Sequence, residues 1–223
     1  MNIKIGKLYK IGSDFDGILG NVPVTLKKYK DSFVILLNIS KIKDITKKQF
    51  ISYPLFYFVS SVFIYEGKAR IDILDIKING NLKKIPFFIE KLCQIYMDNP
   101  VLSTIDVIIP CPHSSDNKIE LTKMLCVGLS KNINKPVLLN ILQRVRNLEK
   151  PQVYLSPKER LENVKGAFTI DKKEQVRNKI CLLIDDIITT GATANECSNL
   201  LLSAGTKKIY LITIAKPLNS VFI

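Results

Sequence analysis

Two adjacent carboxylates at the end of an apolar run are the residues of this sequence best placed to do chemistry. The run Cys181–Ile184 has the pattern of a strand buried on both faces, and Asp185 and Asp186 follow it directly. A loop of small and hydroxylated residues, Thr189–Thr193, comes next and leads into a helical pattern. A strand that runs through such a loop into a helix forms an anion site, because backbone N–H groups and the positive end of the helix dipole point into the loop.

The presence of carboxylates beside an anion site restricts the ligand. Two negative charges would weaken the binding of a lone phosphate group, whereas carboxylates accept hydrogen bonds from sugar hydroxyls and bind Mg²⁺ through oxygen. The pattern therefore predicts a ligand with a 5-phosphate, a vicinal diol and further anionic oxygens, a description that phosphoribosyl pyrophosphate fits. Gly191 would allow close backbone approach, and the hydroxyls of Thr189, Thr190 and Thr193 would add donors. The alternative is an acidic turn that only caps a helix.

Two other polar segments should reach the same site. The loop after the first core strand contains His113 and Ser114 and should face the same crevice, because ligands of open α/β sheets bind at the C-terminal ends of the strands, with an ordinary surface loop as the alternative. The segment from Arg144 to Arg160 is too long and polar for an ordinary connection. Its cations suit a lid over a pyrophosphate, because arginine binds phosphate oxygens bidentately, although a solvated basic loop would look similar. Ser156, followed by proline, predicts the start of a helix within this lid.

Strands that alternate with helices must position these residues. Besides the run at Cys181, strand patterns occur at Thr104–Pro112, Pro136–Leu142 and Lys208–Ala215, and helical patterns lie between them. The order predicts an α/β domain with a mainly parallel sheet flanked by helices, whose ligand binds at the C-terminal ends of the strands. Residues 1–57 form a β-rich N-terminal region of unknown role, and residues 58–223 form the domain that carries the site.

Composition narrows the classes of protein further. The net charge of +13 permits contact with nucleic acid or with an anionic substrate. The five cysteines are scattered and the sequence has one histidine, so we expect reduced thiols, a cytoplasmic protein and no structural zinc. The longest uncharged stretch, Phe50–Tyr65, contains a proline and is short for a membrane span, so we expect no membrane partner.

The stretch from Cys181 to Thr193 resembles the phosphoribosyl-pyrophosphate motif of type I phosphoribosyltransferases. The lid is similar to that of the ComF/GntX group of this family, an amidophosphoribosyltransferase-like group of competence proteins. The pattern of that group reads Arg-x-Arg, then Pro-Gln, then Leu-Ser-x-x-Glu-Arg-x-x-Asn-Val-x-Gly-Ala-Phe, and nearly every position is present between Arg144 and Phe168. Tyr65, Gly67 and Lys77 match a further pattern of the group, Tyr-x-Gly followed by a lysine in an apolar run.

The sequence departs from the group at two places. An Arg-Gly-Phe-Asn-Gln-like sequence usually follows the first core strand, and here residues 116–120 read Asp-Asn-Lys-Ile-Glu. Many relatives also carry a four-cysteine zinc module near the N-terminus, and that module is missing here. The first departure bears on pyrophosphate handling, because arginine is a side chain well suited to binding phosphate oxygens.

The resemblance implies phosphoribosyl transfer, which is glycosyltransferase chemistry on a pentosyl donor. It makes Asp185, Asp186, Arg144 and Arg160 the catalytic residues, with phosphoribosyl pyrophosphate as co-substrate. Both aspartates would hold the ribose hydroxyls and Mg²⁺, through the hydroxyls or through water. The remaining ligand contacts would come from a set of loop residues: Thr189, Thr190, Gly191, Ala192, Thr193, His113 and Ser114.

The acceptor and the partners stay open at this point. Hypoxanthine-guanine enzymes of the family have an aspartate as general base where Thr189 stands, so a 6-oxopurine acceptor is disfavoured. The resemblance to ComF also implies an alternative, a non-catalytic factor that binds phosphoribosyl pyrophosphate or a nucleotide and acts in DNA uptake or processing. The expected partners are a phosphorylated sugar and, weakly, nucleic acid, and a homodimer is left open.

Overall fold

The computed structural model describes residues 9–11, 14–19, 22–29, 32–37, 56, 58–112, 120–145 and 155–217, and for the first four strands it describes the backbone. The strands are β1 (Tyr9–Ile11), β2 (Asp14–Leu19), β3 (Val22–Tyr29), β4 (Ser32–Leu37), β5 (Phe58–Ile64), β6 (Val107–Pro110), β7 (Leu142–Arg144), β8 (Phe168–Ile170), β9 (Ile180–Ile187) and β10 (Lys208–Lys216). The helices are α1 (Gly67–Asn79), α2 (Ile85–Asp98), α3 (Leu121–Ile133), α4 (Pro157–Val164) and α5 (Ala192–Ser203).

Four parallel strands form one half of the main sheet, in the order β5-β10-β9-β6, with β6 at the edge. Strands β1 to β4 continue the sheet beyond β5 in antiparallel pairing, with Ile35 of β4 opposite Val59 of β5. The runs of β9 and β10 are apolar on both faces, as expected for central strands covered by helices on each side. The predicted α/β class, with a parallel sheet flanked by helices, is confirmed, and the division of the chain at residue 57 stays a prediction.

Two hydrophobic layers cover the two faces of the parallel strands. Helices α1, α2 and α3 pack on one face, against Leu182 and Ile184 of β9. Helix α5, together with the small β7–β8 sheet, packs on the other face, against Cys181 and Leu183. Because successive residues of a strand point to opposite faces, these two groups of contacts indicate the sides on which the next two residues, Asp185 and Asp186, lie.

Two elements differ from the sequence prediction. The predicted strand Pro136–Leu142 is reduced to one bridge between Val137 and Ile108, because the chain turns at residues 139–140 and Leu142 then pairs with β8. The sequence pattern around Lys77 indicates an apolar run, and the structure has the helix α1 there, whose Ile73 and Ile76 are buried. No helix among the described residues is long and apolar enough to cross a membrane.

Candidate functional site

The acidic pair lies at the C-terminal end of β9, at the edge of the sheet where the sequence placed it. The strand runs to Ile187, so Asp185 and Asp186 belong to it and their side chains leave on opposite faces. Asp185 has the same parity as Leu183 and lies on the α5 side, whereas Asp186 lies on the α1 side. Local hydrogen bonds hold both carboxylates, because the Asp186 N–H donates to Asp185 Oδ1 (2.9 Å) and the Ile187 N–H donates to Asp186 Oδ1 (2.6 Å).

Asp186 forms an ion pair with Lys77 on the α1 side. The Lys77 ammonium contacts Asp186 Oδ2, and the two side chains are 16% and 8% exposed. Asp186 therefore does not face solvent, although it lies at the strand end. Helix α1 covers this side of the strand and brings the lysine to the carboxylate. Sequence reasoning did not place Lys77 among the site residues, although the Tyr-x-Gly and lysine pattern pointed to it.

Asp185 lies in a different environment, on the α5 side. It is opposite Thr213 of β10 in the register of the sheet, and the Thr213 hydroxyl donates to Ser61 Oγ of β5 (3.1 Å). The buried Cys111 thiol is also near. A hydrogen bond with Cys197 and burial raise the pKa of that thiol, and the Asp185 charge adds to the shift. Burial and, next, the neighbouring Asp186 carboxylate raise the pKa of Asp185 to about 8. The protein thus favours the uncharged form of this carboxyl group.

The loop after the acidic pair is fixed at both ends. The Ile188 N–H donates to the Ala215 carbonyl (3.0 Å), which ties the start of the loop to β10. Gly191 has φ 77°, a left-handed conformation that favours glycine, and helix α5 begins directly after it. The Ala192 N–H donates to Thr190 Oγ1 (3.4 Å). The loop therefore presents the N-terminus of a twelve-residue helix beside the acidic pair, as an anion site requires.

The described part of the lid packs onto this loop. Helix α4 begins with a capping box between Ser156 and Glu159, as the sequence predicted. Arg160 donates through Nε to the Leu155 carbonyl (3.0 Å) and through Nη1 to Thr189 Oγ1 (2.9 Å). The chain that follows the lid is held as well, because the Gly166 N–H donates to a carboxylate oxygen of α5 (2.7 Å). The lid helix thus places one cation directly at the loop.

The remaining predicted site residues are only partly located. Arg144 is half-buried and ends β7, where it pairs in register with Phe168 of β8. His113 and Ser114 lie outside the described residues, so their predicted contacts stay predictions. Cys111, directly before that loop, donates its N–H to the Ile184 carbonyl (2.8 Å) and accepts a hydrogen bond from the Thr122 hydroxyl (3.1 Å). These bonds place Cys111, which directly follows β6, next to the end of β9.

The acidic pair supplies oxygen donors for magnesium and does not form a cage around it. No cluster of three or more histidine, cysteine, aspartate or glutamate residues occurs in the described part of the chain. Asp186 already has an N–H and an ammonium on its two oxygens, and Asp185 lies on the other face of the strand. Mg²⁺ commonly keeps several waters and binds through one or two carboxylates plus substrate phosphates. The residues fit a metal that shares its coordination with a bound diphosphate.

Comparison with known proteins finds similarity over part of the chain. Residues 130–220 match the model of the phosphoribosyl transferase domain. A stretch of 94 residues is 37% identical to Competence protein F of Haemophilus influenzae, and it covers 42% of this chain and 41% of that protein. The match thus spans about two fifths of the length of this relative.

The structures of solved phosphoribosyltransferases can also be superposed on part of the chain. An adenine phosphoribosyltransferase from Giardia lamblia in complex with 9-deazaadenine matches with a TM-score of 0.43 and 18% identity, over 66% of this chain and 71% of that one. A purine phosphoribosyltransferase from Pyrococcus horikoshii matches with a TM-score of 0.40 and 15% identity, over 63% and 87%. The similarity rests on the domain match and on the identity to Competence protein F, rather than on these structural overlaps. By sequence, residues 130–220 are therefore similar to the phosphoribosyl transferase domain, and a stretch of 94 residues is similar to Competence protein F.

Proposed function

We propose that the chain binds phosphoribosyl pyrophosphate with Mg²⁺ at the C-terminal end of β9 and transfers the phosphoribosyl group to an acceptor, with release of pyrophosphate. The observation that carries the proposal is the arrangement of β9, its loop and α5. One continuous segment offers two carboxylates for a sugar diol and a helix N-terminus for a phosphate, with Gly191 at the turn between them. The two functional groups of the ligand thus have complementary partners on adjacent residues.

The residues have separate roles in the proposed reaction. Asp185 and Asp186 orient the ribose through its hydroxyls, and the loop from Thr189 to Thr193 binds the 5-phosphate. When bound with the diphosphate, magnesium neutralises the charge of the leaving group. Arg160 stands at the loop on a helix that packs over it, so it supplies positive charge near the ligand and helps to exclude water. Arg144 and the residues His113 and Ser114 complete the pyrophosphate contacts in this proposal.

A thermal-shift titration with phosphoribosyl pyrophosphate and Mg²⁺ tests the site. At a concentration about 100-fold above the dissociation constant, the ligand should stabilise the wild type by about 2.7 kcal/mol. Combined Asp185→Asn and Asp186→Asn substitutions should abolish the shift. The matched control is Asp106→Asn, at the other end of the sheet, where that carboxylate accepts the N–H that begins β9 (2.7 Å). A shift of equal size in the double variant would mean that the ligand binds elsewhere.

A second candidate function is a non-catalytic, ligand-binding factor in DNA uptake or processing. It is favoured by the name of the relative, Competence protein F, and by a basic cluster at the N-terminal ends of the strands. Backbone hydrogen bonds join two basic turns there, because the Lys207 N–H donates to the Lys179 carbonyl (2.8 Å) and the Asn178 N–H to the Gly205 carbonyl (2.8 Å). Lys179, Lys207 and Arg177 are exposed at this end.

Two measurements separate the candidates. Release of pyrophosphate on addition of an acceptor, measured over a broad panel of nucleobases and amines, supports the enzyme. Ligand binding without release supports the binding factor. Single-stranded DNA should then bind with an affinity that falls steeply with salt, and Lys179→Gln with Lys207→Gln should weaken it. Salt-insensitive DNA binding, or binding unchanged in that double variant, would contradict the role of the basic cluster.

A further inference from the structure

Lys77 occupies a fixed position in the last turn of α1. The helix ends at Gly80, which has φ 71°, and the Gly80 N–H donates to the Ile76 carbonyl (3.1 Å). The Asn81 N–H donates to the Asp75 carbonyl (3.3 Å). These two bonds close the helix in the manner of a left-handed C-cap, so the turn that carries Lys77 is held by backbone geometry as well as by its buried isoleucines.

Helix α1 connects two separate strand ends. It starts three residues after the end of β5, where the Tyr65 N–H donates to the Lys216 carbonyl of β10 (2.9 Å). Its last turn reaches the end of β9 through the ion pair between Lys77 and Asp186. Since β10 lies between β5 and β9 in the sheet, the helix passes over β10 at the C-terminal edge. Lys77 thus approaches the acidic pair from a segment remote in sequence.

The other ion pairs of α1 are local. Lys84, just before α2, pairs with Asp72 (2.7 Å) and Asp75 (2.8 Å), and Lys68 pairs with Asp72 one turn away (2.6 Å). These pairs join α1 to itself and to the turn that follows it. These local pairs do not involve Lys77. The ion pair of Lys77 with Asp186 instead joins the helix to β9.

The ion pair fixes the orientation of the Asp186 carboxylate. The Ile187 N–H holds Oδ1 and the Lys77 ammonium holds Oδ2, so the plane of the group is set by two donors. Oδ2 is buried against the ammonium, so Oδ1 is the oxygen whose further lone pair is left to accept a hydroxyl. The ammonium also balances the negative charge, which favours neutral hydroxyl donors over a free cation. A carboxylate held in this way is suited to a vicinal diol.

We propose that Lys77 is a positioning residue that orients Asp186 to recognise the 2- and 3-hydroxyls of the ribose, and so makes the site select ribose over 2-deoxyribose phosphates. The inference rests on the proposed function, because it assigns the sugar to the acidic pair. Lys77 acts through the carboxylate. It follows that loss of Lys77 weakens the binding of the diol sugar more than that of the deoxy sugar.

The test is the ratio of affinities for ribose 5-phosphate and 2-deoxyribose 5-phosphate, measured by calorimetry in EDTA. The wild type should prefer ribose 5-phosphate about tenfold, which is the value of one hydrogen bond to a charged group. Lys77→Met should reduce the preference to about onefold by weakening ribose 5-phosphate more than 2-deoxyribose 5-phosphate, and Lys77→Arg should retain most of the preference. The control Lys84→Met removes a lysine that pairs with α1 and should keep the preference.

The outcomes separate the inference from the proposed function. A wild type that binds phosphoribosyl pyrophosphate and does not distinguish the two sugar phosphates overturns the inference alone. Equal weakening of both sugars in Lys77→Met also overturns it, because that result indicates a purely structural role. A wild type that binds none of the three ligands removes the proposed function together with the inference. If Lys77→Met does not fold, the preference retained or lost in Lys77→Arg and Lys77→Gln decides the question.

Discussion

Asp185 and Asp186 are neighbours in the chain that lie in contrasting surroundings. On the α1 side, Asp186 is covered by a helix and has a lysine against one oxygen. On the α5 side, Asp185 is half-buried next to hydroxyl and thiol groups, and its pKa is raised to about 8 by burial and by its neighbour. The two residues are of the same type, so the difference in their surroundings comes from the alternation of side chains along the strand. The face on which each aspartate lies decides whether its carboxyl group is ion-paired or has a raised pKa.

The largest expected effect on stability comes from removing the cation that pairs with Asp186. Lys77→Met leaves the buried Asp186 carboxylate without its cation, and such a loss typically costs about 3–5 kcal/mol, so we expect the free energy of unfolding to fall by about 3 kcal/mol. Urea denaturation at neutral pH measures the change. Adding Asp186→Asn to this variant should restore part of the loss, since the uncompensated charge is then gone. Additive effects in the double variant would show that the two residues are not coupled.

The raised pKa of Asp185 is tested through the pH dependence of the free energy of unfolding. Asp185 has an ordinary pKa of 3.8 and a raised value in the folded protein, so the folded state binds a proton that the unfolded state has lost between these values. The free energy of unfolding therefore falls as pH rises from about 4 to about 8. Asp185→Asn should remove this loss and stabilise the protein at pH 8 by about 1–2 kcal/mol, allowing for the solvent access of a half-buried group.

Urea midpoints of both proteins at pH 5 and pH 8 check the prediction. The wild type should lose more stability over this interval than Asp185→Asn. Asp106→Asn, at the opposite end of the sheet, is the control and should follow the wild type. A variant whose pH dependence equals that of the wild type would mean that Asp185 is ionised throughout.

A substitution of the glycine in the loop on the α5 side should change the free energy of unfolding by a similar or smaller amount. Gly191 has φ 77°, and an L side chain in the left-handed region costs roughly 1–2 kcal/mol, so Gly191→Ala should destabilise the protein by about 1 kcal/mol. Gly166→Ala is a matched comparison, because that glycine has φ 65° and a Cβ added to it would meet no atom within 4 Å. Both should cost a similar amount in unfolding experiments. Only Gly191→Ala should also weaken phosphoribosyl pyrophosphate, and weakening by Gly166→Ala would argue against a specific role of the loop.

The smallest effect concerns the lid helix. Ser156→Ala removes the side chain that accepts the Glu159 N–H, and the loss of an N-cap costs about 0.5–1 kcal/mol at an exposed helix end. Hydrogen exchange of the α4 amides should accelerate, while that of the β9 amides should not change. Faster exchange in β9 would mean that the lid stabilises the acidic strand itself.

The sequence was sufficient for the elements that have a strong local pattern. The apolar run before Asp185, the glycine at the turn and the Ser-Pro helix start each depend on neighbouring residues, and the structure agrees with all three predictions. The strand predicted at residues 136–142 was wrong, since a short apolar run does not reveal whether a partner strand continues beside it. There the chain leaves the edge of the sheet after one bridge.

The environment of the acidic pair could not be predicted from sequence. The pairing of Lys77 with Asp186 depends on the path of α1 over β10, which is a property of the strand order and has no signature near either residue. The contrast between the two aspartates has the same origin, because two identical adjacent letters give no information about which helix covers which face. The family pattern marked Lys77, and only the fold supplied its partner.

The position of β10 between β5 and β9 has a consequence for synthesis of the protein. Strand β5 ends at Ile64, and its parallel partner begins only at Lys208, so β5 leaves the ribosome long before β10 exists. At about 5–20 residues per second, one edge of β5 waits unpaired for on the order of ten seconds. During that time, the unpaired edge of an apolar strand is exposed. It can pair with the strands of other nascent chains, which leads to aggregation. Delayed closure of the sheet thus makes the yield of native protein sensitive to translation speed and to chaperones that bind extended apolar segments.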